Sequence, residues 1–258
     1  MGLNTTFIPK RDLLSPSQLS SLQTVLAVPK SKLIYCYVPK VGCTSWKSLL
    51  LQMEGLDATG DSHKAVRTAF RSLSTFDSEG VRALFRTHRS FMFARNPFSR
   101  LLSAYRDKIT MDNNCHWRWL LLAWLQKSDP VVAATYNAKF KNFTFTQFVK
   151  FYLSSQEKDE HWREMHKLCS PCLLHYDFIG AFETSEEETT HFLRSINVSM
   201  QLPRLQKKTN SSKPAELHEY YSQLPVDLLQ KLVVDGGIVT DMKIFGYDVP
   251  EVIKELLP

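Results

Sequence analysis

The sequence lacks any apolar segment long enough to cross a membrane. A spanning helix needs about 20 consecutive apolar residues, and the chain has no run of even about 18. The N-terminal stretch MGLNTTFIPKRDLLS also lacks the apolar centre of a secretory signal peptide. These absences predict a globular domain, and we expect any signal or membrane anchor of the protein to lie outside this chain.

Internal repeats and low-complexity tracts are also missing, and the composition is that of an ordinary globular protein. Of the 258 residues, 43% are hydrophobic and 22% are charged, which suits one large domain or two small ones. The formal net charge is +6. This excess is consistent with simple solubility or with an anionic partner such as a nucleotide, a polyanion or a membrane surface.

Cysteine is scarce, with five residues in the chain, and two of them form the LCSPC segment at Cys169 and Cys172. This spacing suits a small disulfide loop in an oxidising compartment or half of a zinc site in the cytosol. No second Cys-x-x-Cys or Cys/His pair completes a zinc set, so the sequence favours a disulfide or free thiols and predicts no metal site. Four of the eight asparagines lie in glycosylation sequons, which favours the secretory lumen: Asn4, Asn142, Asn197 and Asn210.

Three short apolar runs have the character of strands, and each leads into a helical pattern. They are KLIYCYV (32–38), SFMFAR (90–95) and YDFIGAFE (176–183), followed by helices from about Thr44, Pro97 and Thr184. Further helices are predicted over 63–73, 116–126, 144–154 and 226–234. Strands that alternate with helices predict an α/β fold with a central parallel sheet flanked by helices. We expect a stem-like segment over 1–29 and one domain over 30–258.

The turn between the first strand and its helix, PKVGCTS, has the composition of an anion site. Backbone N–H groups at a helix start point outward, and the helix dipole favours negative charge there. Gly42 permits close backbone approach, Lys40 adds a full charge, and the hydroxyls of Thr44 and Ser45 are further donors. The alternative is a helix that Thr44 or Ser45 caps for itself. A nucleotide P-loop is disfavoured because the lysine precedes the glycine and a second glycine is missing.

A second strand-to-helix turn, FARNPFSRLLSAYRDK, carries Arg95 at the strand end and Ser103 eight residues later. This spacing can bring a guanidinium and a hydroxyl onto one small anion. Arg100 and Arg106 are expected to be ordinary solvated charges on the helix. Two anion sites on adjacent strand–helix units predict a ligand with phosphate-like groups at both ends.

These motifs resemble those of the sulfotransferases. YVPKVGCTSWK is similar to their 5′-phosphosulfate loop, and RNPFSRLLS is similar to their 3′-phosphate motif. DEHWREMHKLCSPCLLHYDFIGAFET (159–184) and IFGYD (244–248) resemble the Golgi carbohydrate sulfotransferases. Within these, the resemblance is to the branch of the chondroitin and dermatan 4-O-sulfotransferases and the HNK-1 sulfotransferase, and it covers roughly residues 30–250.

The resemblance implies a sulfate donor, 3′-phosphoadenosine-5′-phosphosulfate, and a glycan acceptor. The acceptor would be an anionic glycosaminoglycan or a glycoprotein glycan, with C4 of N-acetylgalactosamine in chondroitin or dermatan preferred to glucuronate 3-O-sulfation of the HNK-1 type. It implies neither a metal nor a nucleic-acid partner. It also implies the Golgi lumen, as a type II membrane protein whose anchor is not in this chain. The alternative to an enzyme is a basic glycan-binding module without turnover.

The resemblance also implies the site residues. Trp46 would lie either against the adenine or in the core. The helix that follows the PKVGCTS turn is expected to direct Lys47 outward. The phosphosulfate loop would be Pro39, Lys40, Val41, Gly42, Cys43, Thr44 and Ser45, and the 3′-phosphate pair would be Arg95 and Ser103.

For chemistry, Lys40 would stabilise the leaving oxygen, and a histidine would take the acceptor proton. His161, in the family-like EHW segment, is the first choice for this base. The other bases considered are His88, His63 and Glu160. Lys207, Lys208 and Lys213 are candidates for a basic rim that contacts the anionic glycan. In a separate part of the chain, Gly236 and Gly237 are expected to weaken the helix that leads to IFGYD.

Overall fold

The computed structural model describes residues 14–111, 116–136, 143–156, 158–203 and 210–258. Of the predicted features, Asn4, Asn142, Lys207 and Lys208 lie outside the described residues. The described strands are β1 (Val25–Val28), β2 (Leu33–Cys36), β3 (Arg71–Ser72), β4 (Arg89–Ala94) and β5 (Phe178–Ala181). The described α-helices are α1 (Pro16–Ser20), α2 (Cys43–Met53), α3 (Ser62–Ala69), α4 (Ser78–Thr87), α5 (Pro97–Ala104), α6 (His116–Ser128), α7 (Pro130–Ala134), α8 (Phe145–Ser154), α9 (Met165–Cys169), α10 (Ser185–Ser195), α11 (Pro214–Tyr221), α12 (Val226–Val233), α13 (Gly236–Phe245) and α14 (Glu251–Lys254).

The described residues form two compact units. The first unit contains the described residues up to Arg95 and those from Arg163 to Pro203, and the second contains those from Asn96 to Trp162 and from Asn210 onward. Within the described part of the chain, no helix combines the length and the apolar character that a membrane span requires.

The first unit is built on one five-stranded sheet with the order β3-β1-β2-β4-β5. Strands β2, β4 and β5 are parallel neighbours, whereas β1 is antiparallel to both β2 and β3. The predicted α/β class is confirmed, but the sheet is mixed and only mostly parallel. The reason is that β1 joins β2 through the short turn 29–32, and so short a connection joins only antiparallel strands.

Strand β1 was missed by the sequence analysis, and it moves the start of the folded region. Its four residues are all buried, with Val25 and Val28 fully so. Because β1 pairs with β2 inside the sheet, the stem-like segment predicted over 1–29 is too long. The predicted helix over 63–73 is also shorter than expected, since α3 ends at Ala69 and Arg71 and Ser72 form β3.

Aromatic side chains form the core between the sheet and helices α2 and α10. The Trp46 ring lies 4.9 Å from that of Phe91 and 5.1 Å from that of Phe93, measured between centroids. Phe91 also contacts Phe192 of α10 at 4.4 Å and Tyr35 of β2 at 4.8 Å. These contacts hold α2 against strands β2 and β4 and so fix the position of the turn that precedes the helix.

One disulfide joins the sheet to helix α9. Cys36, the last residue of β2, is bonded to Cys169, with the two Cα atoms 5.7 Å apart. Of the two states that the sequence left open for the Cys-x-x-Cys pair, a small disulfide loop or free thiols, neither describes both residues: Cys169 is bonded to Cys36 and Cys172 is a free thiol. Cys169 is fully buried against β2, whereas the chain reverses at Ser170 (φ 46°) and leaves Cys172 as an exposed free thiol.

The second unit is helical, with a core built around α5, α8, α11 and α12. Tyr221 is fully buried, and its hydroxyl donates a 2.9 Å hydrogen bond to the carbonyl of Phe98; burial raises its pKa. The predicted helix from Pro97 consists of α5 followed by a π-helical segment, Tyr105–Met111. Gly236 and Gly237 do not weaken a helix, because they begin one: Asp235 caps α13 by accepting from the N–H of Gly237.

Candidate active site

The turn before α2 has a backbone that is suited to binding an anion. Two of its residues adopt left-handed conformations, Lys40 with φ 71° and Gly42 with φ 70°. Helix α2 begins at Cys43, and its N-cap Gly42 makes no side-chain capping hydrogen bond. The self-capped alternative with Thr44 or Ser45 is therefore not what forms. A non-glycine residue in this conformation costs on the order of 1 kcal/mol, and such strain is concentrated at functional sites.

Side chains along the turn alternate between buried and accessible. Pro39, Val41, Cys43 and Ser45 are buried, and the residues between them are partly exposed. The accessible positions are Lys40, Gly42 and Thr44. The accessible positions of the turn therefore carry a charged side chain, a backbone without a side chain and a hydroxyl.

Arg95 connects this turn to the neighbouring strand. It directly follows β4, is only 3% exposed, and donates a 2.8 Å hydrogen bond from Nη1 to the carbonyl of Lys40. Its guanidinium also lies 4.6 Å from the ring centroid of Phe182, which follows β5. The same phenyl ring lies 3.5 Å from the place that a Cβ on Gly42 would occupy.

These contacts bring together the carboxyl ends of three parallel strands, β2, β4 and β5. Ligands of α/β sheets bind outside the carboxyl ends of the strands. The sequence predicted Lys40, Gly42 and Arg95 for this edge but missed Phe182. The signal for it was available, since Phe182 lies near the end of the third predicted strand run, 176–183.

A second cluster lies on the first turn of α2. The Nε2 atom of His63 is 3.0 Å from Oγ1 of Thr44, and its Nδ1 atom is 3.1 Å from Nζ of Lys47. Lys47 is 4% exposed, and its Nζ lies 3.6 Å from the ring centroid of Tyr37. The expectation that α2 turns Lys47 outward is wrong, because its ammonium packs over the Tyr37 ring and contacts His63.

Trp46 has the core role rather than a place against an adenine. It is 2% exposed and is enclosed by the rings of Tyr35, Phe91, Phe93 and Phe192. Its ring is thus part of the core and is not available to contact a donor nucleotide.

His88 lies at the wrong end of the sheet to act as a base. It precedes the first residue of β4, Arg89, whereas Arg95 follows the last. A six-residue strand spans about 20 Å, so the two ends are well separated. His88 bonds to the hydroxyl of Thr87 at 2.8 Å, and desolvation lowers its pKa.

In the second unit, Ser103 lies on α5 and is 2% exposed. The expectation that Arg100 and Arg106 are solvated is wrong. Arg100 is 4% exposed and donates a 3.0 Å hydrogen bond to the carbonyl of Glu160. Arg106 forms an ion pair with Glu216. Both charges therefore have partners within the protein.

His161 forms a pair with a carboxylate that the sequence analysis missed. Its Nδ1 atom lies 2.6 Å from Oδ1 of Asp159, which also accepts from the His161 backbone N–H at 2.9 Å. The Trp117 ring lies 5.2 Å from the imidazole. Because the carboxylate accepts the Nδ1 proton, Nε2 of the neutral ring becomes the proton acceptor. The signal in the sequence is an aspartate two residues before the histidine.

Comparison with known proteins places this arrangement in a family. Residues 23–248 match the sulfotransferase family. Carbohydrate sulfotransferase 9 of Homo sapiens is 36% identical over 180 residues, which are 67% of this chain and 41% of the relative. Carbohydrate sulfotransferase 14 of Danio rerio is 30% identical over 250 residues (94% of this chain, 67% of the relative). Carbohydrate sulfotransferase 11 of Rattus norvegicus is 29% identical over 267 residues (97% and 74%).

The chain spans about half the length of several curated relatives that it matches, between 41% and 59% of the relative. No solved structure is a significant match. The family match covers most of the chain and includes β2, α2 and β4, the elements that form the charged turn and position Arg95. The chain belongs to the sulfotransferase family.

Proposed function

We propose that this chain is a carbohydrate O-sulfotransferase that transfers the sulfuryl group of 3′-phosphoadenosine-5′-phosphosulfate to a sugar hydroxyl. The observation that carries the proposal is the strained turn of Lys40 and Gly42 at the start of α2, held by buried Arg95. The relatives support the reaction class, since those compared are all named carbohydrate sulfotransferases.

The residues of the turn fit the phosphosulfate end of this donor. Sulfate and phosphate oxygens accept hydrogen bonds and carry negative charge, and the turn offers a lysine, a hydroxyl and the N-terminus of an eleven-residue helix. A side chain at position 42 would occupy the space beside Phe182. Ser103, in the second unit, keeps its predicted role at the 3′-phosphate on the basis of the sequence resemblance.

The reaction exchanges one sulfur–oxygen bond for another. The acceptor oxygen bonds to sulfur while the bond from sulfur to the 5′-phosphate oxygen breaks, and the acceptor proton passes to a base. The products are a sulfate ester and adenosine 3′,5′-bisphosphate. Negative charge grows on the departing oxygen, so a preplaced ammonium on Lys40 and the N–H groups of α2 stabilise the transition state.

We propose His161 as the base. Its pairing with the partly buried Asp159 supports this role, because the carboxylate orients the imidazole and stabilises the imidazolium that forms. Glu160 is the alternative base; its backbone carbonyl accepts a hydrogen bond from Arg100.

For the acceptor we propose C4 of N-acetylgalactosamine in chondroitin or dermatan, with glucuronate 3-O-sulfation as the runner-up. Support comes from the resemblance of segment 159–184 to that branch and from the net charge of +6, which suits a polyanion.

For the location we propose the Golgi lumen. The Cys36–Cys169 disulfide supports an oxidising compartment. Two sequons, Asn197 and Asn210, are exposed, as glycosylation requires.

Transfer of labelled sulfate tests the proposal. The chain is incubated with the labelled donor and with desulfated chondroitin, desulfated dermatan or a glucuronate-terminated glycan, and disaccharide analysis locates the product sulfate. Lys40→Ala is expected to reduce transfer at least about 100-fold. The matched control is Lys64→Ala on α3, whose side chain is exposed. Glycan binding without any transfer by the unmodified chain would instead identify a binding module.

A further inference from the structure

The contacts of His63 determine where its proton lies. A lysine ammonium donates hydrogen bonds and accepts none. Its 3.1 Å contact with Lys47 therefore makes Nδ1 of His63 the acceptor. In the neutral ring the proton then resides on Nε2, which donates to the hydroxyl of Thr44 at 3.0 Å.

This assignment also determines the hydrogen-bonding role of the Thr44 hydroxyl. Because its oxygen accepts from His63, its own proton is available for another acceptor. Thr44 is one of the partly exposed positions of the turn, on the first turn of α2. Anionic oxygens that reach this turn would be such acceptors, so the hydroxyl is oriented as a donor before a ligand arrives.

The surrounding structure holds all three groups in place. Lys47 is 4% exposed and contacts the ring of Tyr37, which stabilises the cation by its quadrupole. The backbone N–H of His63 donates a 2.9 Å hydrogen bond to the carboxylate of Asp61, the N-cap of α3. His63 is thereby fixed at the start of one helix and reaches two residues on the first turns of another.

We propose that His63 is a positioning residue: held by Lys47, it orients the Thr44 hydroxyl as a hydrogen-bond donor to the phosphosulfate group. The proposal rests on the proposed function for the identity of the anion. It also excludes His63 as the base for the acceptor: Nε2 carries its proton toward Thr44 and Nδ1 accepts from the Lys47 ammonium, so neither ring nitrogen is available to take the acceptor proton. The two lysines then have different roles: Lys40 lies at an accessible position of the turn and contacts the ligand itself, whereas Lys47 acts through the imidazole of His63.

Nuclear magnetic resonance tests the tautomer directly. In protein labelled with ¹⁵N, the two-bond correlations of the imidazole distinguish a ring protonated at Nε2 from one protonated at Nδ1. We expect the neutral Nε2–H form for His63 and its loss in Lys47→Met. An Nδ1–H ring or a doubly protonated ring in the folded, unmodified chain would overturn the proposal.

Kinetics distinguish positioning from proton transfer. His63→Ala is expected to lower kcat/KM for the donor on the order of tenfold or more, with the acceptor KM unchanged. His63→Gln restores an N–H donor near Thr44 but has no basic nitrogen, so it is expected to recover most of the loss. A base would not be rescued by glutamine and would cost about 100-fold or more in kcat. Lys64→Ala on the same helix turn is the control.

A double-mutant cycle tests the path through Thr44. If His63 acts through that hydroxyl, Thr44→Val combined with His63→Ala is expected to cost little more than Thr44→Val alone. Fully additive losses would overturn the proposal. Calorimetric binding of adenosine 3′,5′-bisphosphate, and thermal unfolding of each variant, show whether a variant still folds.

The two proposals fail in different ways. If the unmodified chain transfers no sulfate to any acceptor, the proposed function fails. The tautomer of His63 and the effect of His63→Ala on bisphosphate binding still test whether His63 orients the Thr44 hydroxyl. If transfer occurs but His63→Ala matches the unmodified chain in every measurement, only the role of His63 is refuted.

Discussion

The guanidinium of Arg95 donates a 2.8 Å hydrogen bond to the backbone carbonyl of Lys40. The contact joins the residue after β4 to the turn after β2, two strands that lie side by side and run parallel. One buried side chain therefore holds the strained turn in place from the neighbouring strand. In the proposed reaction, the same side chain sets the position of the Lys40 ammonium that stabilises the leaving group.

Replacement of Arg95 by lysine tests whether charge alone is sufficient. Lysine keeps the charge but loses the planar group that donates to the Lys40 carbonyl and stacks on Phe182. We expect the donor KM to rise about tenfold, and the free energy of unfolding to fall by about 1–3 kcal/mol because the partly buried Lys40 carbonyl loses its donor. Arg86→Lys, at an exposed position of α4, is the control. A donor KM equal to that of the unmodified chain would show that the contact is dispensable.

Gly42→Ala tests the left-handed conformation of the turn. A Cβ at this position would meet Phe182 at 3.5 Å, an ordinary contact, so the cost comes from the φ of 70°. We expect about 1 kcal/mol of lost stability together with weaker donor binding. Gly55→Ala is the matched control: its φ is 74° with nothing within 4 Å, so it should lose similar stability but bind the donor normally. Equal donor affinity in both variants would argue against a ligand at the turn.

Removal of the Cys36–Cys169 disulfide should destabilise the chain. The bond closes a loop across a sequence separation of 133 residues, and in the chain-entropy account such a loop contributes about 4–5 kcal/mol. The variant with both cysteines changed to alanine is expected to lose about 2–5 kcal/mol in denaturant unfolding. Cys172→Ala, which removes an exposed free thiol, should be neutral. Equal stability of the double variant and the unmodified chain would refute the structural role of the bond.

Asp159→Asn tests the proposed base. The amide no longer stabilises an imidazolium and can favour the wrong tautomer of His161, so kcat should fall by roughly 100-fold or more. The acceptor KM should change little, because the pair acts on proton transfer. Asp227→Asn, an exposed carboxylate on α12, is the control. Full activity in Asp159→Asn would remove His161 from the mechanism as stated here.

Short-range features of the fold and site could be predicted from the sequence. The turn of Lys40 and Gly42 follows directly from a strand, a glycine and a helix start that are adjacent in the chain. Arg95 could be predicted because it ends the next strand, and parallel strands end at the same edge of a sheet.

Long-range pairings could not be predicted in the same way. Cys36 and Cys169 are separated by 133 residues, and no local pattern of the sequence favours that pairing over the nearby Cys172. Lys47 points inward to a contact with His63, which lies on α3. The spacing of residues along α2 alone does not reveal that contact. The burial of Arg100 depends likewise on Glu160, sixty residues away.

The left-handed backbone of Lys40 implies a conflict between folding and chemistry at a single position. Glycine would adopt a φ of 71° without the steric penalty of a Cβ, so Lys40→Gly should raise the melting temperature while it removes the ammonium. Such a position exemplifies a trade-off in which selection for activity keeps a residue that selection for stability alone would replace. Stabilising consensus or design procedures applied to this chain should therefore leave residue 40 untouched.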